Sequence, residues 1–150
     1  MHILFVYPPW QFYSPSKLYP LGVSYLASYL IHSGFNSVDI VDLNFSISTP
    51  KKVIKKAVKI VEKRNPDILG LTCWTVHLPF CIEFVKMYKR NHPEVKIILG
   101  GVQASSQPEE LMRLCPADII VRGEGEETIV RLVQALEKNT GLEKVSGISY

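Results

Sequence analysis

The sequence predicts an α/β domain: a doubly wound, five-stranded parallel sheet with helices on both faces. Short apolar runs of strand length alternate with segments of helical period, five times over. The runs are apolar almost throughout rather than at every second residue, which marks strands covered on both faces. Successive strand–helix units joined by right-handed crossovers build one parallel sheet.

The elements follow in order. His2 to Tyr7 is the first strand, stopped by Pro8-Pro9, because proline has no N–H to give a central ladder. Gly22 to His32 sets Val23, Leu26, Ala27, Leu30 and Ile31 on one helical face, with Gly34 placed to cap its end. Val38 to Leu43 is the second strand. Thr49 is an N-cap for a helix opened by Pro50, whose buried stripe is Val53, Ile54, Ala57, Val58 and Val61. Pro66 ends that helix, and Ile68 to Thr72 is the third strand. Leu78 to Arg90 is a helix carrying Ile82, Val85, Met87 and Tyr88 inward. Val95 to Leu99 is the fourth strand, Pro108 to Leu114 a short helix, and Ile119 to Val121 the fifth strand. Glu126 to Lys138 is the last helix, with Ile129, Leu132, Val133 and Leu136 at helical spacing, and Val145 to Tyr150 reads as one more strand. The expected strand order is 2-1-3-4-5, the flavodoxin-like arrangement. Its switch point lies between the first and third strands, so ligand contacts are expected from the loops at Pro8, Thr72, Gly100 and Gly123.

Composition narrows the function classes. A chain of 150 residues, 47% hydrophobic and 21% charged, has the make-up of one soluble globular domain. Its net charge of +3 is too small to imply nucleic acid. Much of the excess sits in Lys51, Lys52, Lys55, Lys56, Lys59 and Lys63, on the solvent face of an amphipathic helix with no interleaved aromatics. No apolar stretch reaches the ~18 residues of a membrane span, and no basic region with a cleavage site precedes the first strand. A cytoplasmic location is expected, with neither membrane nor nucleic acid among the partners. The three cysteines, Cys73, Cys81 and Cys115, show no metal-ligand spacing and read as free thiols, the last two as small buried hydrophobes. No metal site and no catalytic residue is expected within the chain.

The loops restrict the ligand. Leu69-Gly70-Leu71-Thr72-Cys73-Trp74 and Ile97-Ile98-Leu99-Gly100-Gly101 each end a buried strand in small residues, and a double glycine there lets a ligand approach the backbone. A flavin phosphate needs backbone N–H groups after the first strand. The chain instead has Pro8-Pro9-Trp10-Gln11-Phe12-Tyr13, short of two donors and crowded with aromatics. The glycine-rich stretch Gly123-Glu124-Gly125-Glu126-Glu127-Thr128 follows the fifth strand, not the first, and its three acids repel a pyrophosphate. A phospho-acceptor receiver needs acids at the ends of the first and third strands, where Tyr7-Pro8 and Thr72-Cys73 stand. A large, mostly neutral ligand lying over apolar and aromatic loops remains.

A resemblance gives that ligand a name. Leu69 to Trp74 resembles the Ser-x-Leu stretch of cobalamin-binding domains, with Thr72 in the serine position, and Ile98 to Ser105 resembles their Gly-Gly loop. Pro8-Pro9 with Tyr19-Pro20-Leu21-Gly22-Val23-Ser24-Tyr25-Leu26-Ala27, then Arg122 to Thr128, then Gly147-Ile148-Ser149-Tyr150, are similar to one subset. That subset is the N-terminal cobalamin-binding domain of cobalamin-dependent radical S-adenosylmethionine enzymes. The resemblance implies that residues 1–150 form a cobalamin-binding domain, the N-terminal part of a longer chain. A barrel domain in cis would carry a [4Fe–4S] cluster and bind S-adenosylmethionine. It further implies methyl transfer by the intact protein as the commonest outcome, with cyclisation or ring rearrangement in some relatives, this domain alone being non-catalytic. The implied cofactor contacts are Pro8, Pro9 and Trp10 after the first strand and Leu21 and Gly22 at the first helix. Thr72, Cys73, Trp74 and Thr75 follow the third strand, Gly100, Gly101, Val102 and Gln103 the fourth, and Gly123, Glu124, Gly125 and Glu126 the fifth.

Two departures qualify the expectation. The Asp-x-His-x-x-Gly motif that supplies a cobalt ligand elsewhere is absent, which implies base-off binding with no histidine under the metal. Gln103 stands where the subset often has histidine. Both leave open a cofactor-free interaction or regulatory domain, against which the Gly100-Gly101 slot counts. Local alternatives stay open too. Thr72 can satisfy a strand end instead of a ligand, Trp74 can be a core aromatic instead of a platform, and Glu126-Glu127 can complement a helix N-terminus. His77 is expected at a helix start or facing solvent rather than on cobalt.

Overall fold

The protein is described by a computed structural model covering residues 1–10, 19–44 and 50–150. Thr49, expected as an N-cap, and Gln11, Phe12 and Tyr13 of the first loop lie outside the described residues.

Strands β1 (Ile3–Tyr7), β2 (Val38–Asp42), β3 (Ile68–Thr72), β4 (Lys96–Gly100) and β5 (Ile119–Val121) run parallel, and β6 (Ile148–Ser149) lies antiparallel to β5. The order is β2-β1-β3-β4-β5-β6. The expected 2-1-3-4-5 core is present, but the sheet has six strands rather than five. The sixth covers what would be an open edge at β5. Gly147, at φ +83°, turns the chain across that edge, where the Arg122 N–H donates to the Gly147 carbonyl at 2.8 Å and the Arg122 guanidinium to the Ile148 carbonyl at 3.2 Å. Only two of the residues expected as the last strand pair; a 3-10 turn, Leu142–Lys144, precedes them.

The helices are α1 (Leu21–His32), α2 (Pro50–Glu62), α3 (Leu78–Asn91), α4 (Val102–Ser106), α5 (Pro108–Leu114) and α6 (Glu126–Glu137). α4 was not legible in the sequence, since five residues of mostly small polar type carry no apolar period. Among the described residues no helix is long and apolar enough to cross a membrane.

Both faces of the sheet are apolar, and strand alternation decides which residue serves which face. Leu4, Val6, Leu69, Leu71, Ile97 and Leu99 pack on one side with the buried stripes of α2 and α3. Ile3, Phe5, Ile68, Ile98, Ile119 and Val121 pack on the other, under Val23, Ala27 and Leu30 of α1 and Ile129, Leu132 and Val133 of α6. The register stacks two rows on that second face near the carboxyl ends. Phe5, Gly70, Ile98 and Ile119 form the lower row, and Thr72, Gly100 and the end of β5 the upper one.

Gly70 lets the lower row close. A Cβ there would stand 2.7 and 2.8 Å from the Phe5 ring, so the ring lies over bare backbone. Gly70→Ala should therefore lower stability by about 1–3 kcal/mol, the usual cost of overpacking. Urea unfolding checks it, and a midpoint equal to wild type would sink the account.

Candidate functional site

The two rows and the helices above them enclose a cavity of about 180 Å³ at the carboxyl end of the sheet. Phe5, Gly70 and Ile98 form its floor, Gly100 and Val121 continue upward, and α1 (Gly22, Val23, Leu26) and α6 (Glu126, Ile129) close it from outside. Thr72, Gly101, Gly123, Glu124 and Gly125 complete it. The glycines do different work. A Cβ on Gly100 would meet only the Val121 carbonyl at 3.8 Å, and at Gly22 or Gly123 nothing within 4 Å. A side chain at Gly100, a cavity-lining position, would therefore meet open space rather than packed protein. Gly101 is held by the fold itself: φ is +99°, and a Cβ would lie 2.9 Å from Thr72 Oγ1 and 3.1 Å from the Cys73 carbonyl.

That contact reflects two loops stitched together. The Cys73 N–H donates to the Gly100 carbonyl at 2.6 Å, and the Gln103 N–H to the Cys73 carbonyl at 3.0 Å. The Thr75 hydroxyl donates to Gln103 Oε1 at 3.0 Å, and Gln103 Nε2 donates to Gln107 Oε1 at 2.8 Å. Gln103 is buried and both ends of its amide are engaged, so its side chain holds the loop together. The Gly123 N–H donates to Ser105 Oγ at 2.8 Å, tying the loop after β5 to α4.

A second feature lies over β1 and β3, at the switch point of the sheet. Trp10 and Trp74 meet edge to face at 6.0 Å between ring centres, and His77 packs against Trp10 and Tyr7, at 5.6 Å each. The Trp10 indole N–H donates to the Tyr7 hydroxyl at 3.1 Å. Trp74 is 43% exposed and Val102 59%, so both present apolar surface to solvent. His77 does stand at a helix start but does not face solvent: it is wholly buried, and among the described residues neither ring nitrogen has a hydrogen-bond partner. Burial pulls its pKa down to about 4, so the ring is neutral at physiological pH.

The three thiols are buried side by side. The hydrogen bond to Cys73 and burial push the Cys81 thiol well up, and burial pushes Cys115 up to about 12. The same hydrogen bond pulls the Cys73 thiol below its usual value, so only Cys81 and Cys115 are held firmly protonated at neutral pH. Among the described residues no group of three or more His, Cys, Asp or Glu could hold a metal ion.

Of the residues expected from sequence, Gly22, Thr72, Gly100, Gly101, Gly123, Glu124, Gly125 and Glu126 line the cavity. Trp10 and Trp74 meet in the aromatic cluster; Thr75 and Gln103 pair in the stitched loops; Cys73 is core. Pro8, Pro9, Leu21 and Val102 are not among the cavity-lining residues. Sequence reasoning missed Phe5, Val23, Leu26, Gly70, Leu71, Ile98, Val121 and Ile129. Only Gly70 carried a signal, as a glycine inside a strand.

A slot at the carboxyl ends of parallel strands, opened by glycines and floored with apolar side chains, suits a large ligand with an aromatic tail. Residues 13–133 match the model of the B12 binding domain. The chain belongs to the B12 binding domain family. Among curated relatives, this B12 binding domain is 36% identical over 137 residues to an uncharacterized methyltransferase of Pyrococcus horikoshii, covering 87% of the chain and 28% of the relative. It is 28% identical over 157 residues to the anaerobic magnesium-protoporphyrin IX monomethyl ester cyclase of Rubrivivax gelatinosus, covering 100% of the chain and 28% of the relative. Among solved structures, the cobalamin-dependent S-adenosylmethionine radical enzyme OxsB, with aqua-cobalamin and S-adenosylmethionine bound, superposes with a TM-score of 0.85 at 25% identity. That match covers 99% of this chain and 20% of OxsB. The B12 binding domain thus spans about a quarter of the length of these relatives, and its fold is that of the radical-enzyme subset.

Proposed function

We propose that the chain is the cobalamin-carrying domain of a radical S-adenosylmethionine methyltransferase, and that it binds cobalamin base-off in the glycine-opened slot. The observation that carries this reading is the open space at Gly100: a Cβ would project into the cavity with only one atom within 4 Å, so the fold itself has no need of glycine there. The apolar floor of Phe5 and Ile98 receives an aromatic base. Trp74 and Val102 beside it offer exposed apolar surface for the macrocycle, and Trp10 backs Trp74. Bound there, cobalamin supplies a transferable methyl group on cobalt.

This chain's own residues bind and orient. Thr72 and the stitched loops fix the slot's inner wall, while Glu124 and Glu126 give the rim acceptors for hydroxyl groups. The neutral His77 keeps charge out of the aromatic cluster, where its ring packs against Tyr7 and Trp10. The partner domain in cis would supply the [4Fe–4S] cluster and S-adenosylmethionine, in the cytoplasm. A cofactor-free role would leave a cavity of about 180 Å³ and the glycine at position 100 without a purpose.

The test is titration of the purified chain with hydroxocobalamin, desalting, and absorption spectroscopy. Stoichiometric retention with a base-off spectrum is the expected outcome. Protein that emerges colourless at every excess of cofactor rejects the reading for this chain.

A further inference from the structure

Resting on that reading, we propose that the slot selects among corrinoids by their lower base, accepting a benzimidazole and rejecting a purine. The walls are Phe5, Val23, Leu26, Ile98, Val121 and Ile129, none of which carries a polar side-chain atom, and all but Leu26 are buried. Among the described residues polar side chains line only the mouth, where Thr72 and Glu126 are partly exposed and Glu124 is exposed.

Three neighbouring backbone groups are committed as well. The Gly100 carbonyl accepts from the Cys73 N–H at 2.6 Å, and the Gly125 carbonyl accepts from the Ile129 N–H at 2.7 Å. The Gly123 N–H donates to Ser105 Oγ at 2.8 Å. At the floor, Phe5, Gly70 and Ile98 pair within the parallel ladder.

A dimethylbenzimidazole brings methyl groups and an aromatic edge into such walls, with one ring nitrogen left over when it is off the metal. An adenine brings an exocyclic amine and further ring nitrogens. Each must leave water, and a buried polar group without a partner loses roughly tenfold or more in affinity. Discrimination of this kind comes from what the walls lack, because the larger desolvation penalty falls on the wrong ligand.

The experiment titrates the purified chain with three probes: cobalamin, its adenine-bearing analogue pseudocobalamin, and cobinamide, which has no nucleotide tail. Cobalamin is expected to bind at least tenfold more tightly than pseudocobalamin, and more tightly than cobinamide. Val121→Thr, near-isosteric at a wall position, should narrow the cobalamin-to-pseudocobalamin ratio by placing a hydroxyl in the slot. Equal affinity for the two complete corrinoids overturns the inference and leaves cobalamin carriage standing, as does cobinamide binding as tightly as cobalamin. An unchanged ratio in Val121→Thr overturns the assignment of selectivity to the walls. Failure to retain any of the three probes overturns the carriage reading and this inference with it.

Discussion

Gly100→Leu should abolish cobalamin retention while leaving the domain folded. The backbone at Gly100 lies outside the left-handed region, and the new side chain would extend past the Val121 carbonyl into the slot. Burying the face of an aromatic base of about 150 Å² is worth ~4 kcal/mol at 25 cal/mol per Å². Losing it weakens binding by roughly a hundredfold or more. Isothermal titration against hydroxocobalamin, with urea unfolding in parallel, separates the two effects. Unaltered affinity in a folded variant would mean that the tail does not enter here. Gly101 is the wrong position for this experiment, because its φ of +99° and its approach to Thr72 make any side chain a folding defect first.

Acid should destabilise this domain through His77 in a definite window. Its pKa is about 4 in the folded state, against the usual value near 6.5 when exposed. Between those two values the unfolded chain takes up a proton that the native state refuses. Stability from this group is therefore complete above about pH 7 and falls as pH drops toward 4, by on the order of 2–3 kcal/mol. His77→Phe keeps an aromatic ring against Tyr7 and Trp10 but has no proton to bind. Unfolding curves from pH 7.5 to 4.5 should fall less steeply for the variant than for wild type. Parallel curves would show that the imidazole titrates as an exposed one does.

Much of the candidate site was legible because it is built from loop chemistry. Gly100-Gly101 after a buried run, Gly123 after the fifth strand and Gly22 at a helix start are glycines gathered at the loops where a ligand is expected. All four line the cavity. His77 was misjudged because burial is not a local property. It faces Tyr7, Trp10 and Trp74, two of which come from a segment nearly seventy residues earlier in the chain. The cavity walls were missed for a related reason. Val23, Ile98 and Ile129 look like any other core residue in a pattern, and nothing in their spacing says that the space beside them stays unfilled.

The sequence by itself determined the five parallel strands and the helices other than α4, that both sheet faces are covered, and that the strands run 2-1-3-4-5. These depend on local period, on proline and glycine, and on the handedness of crossovers, all of which act over a few residues or one connection. Tertiary structure alone decided that β6 returns antiparallel on β5, that Gly70 serves the Phe5 ring, and that Gly100 opens a void. A cavity is the volume that several elements together fail to fill. Its walls come from β1, α1, β3, β4, β5 and α6, and only their packing against one another defines it.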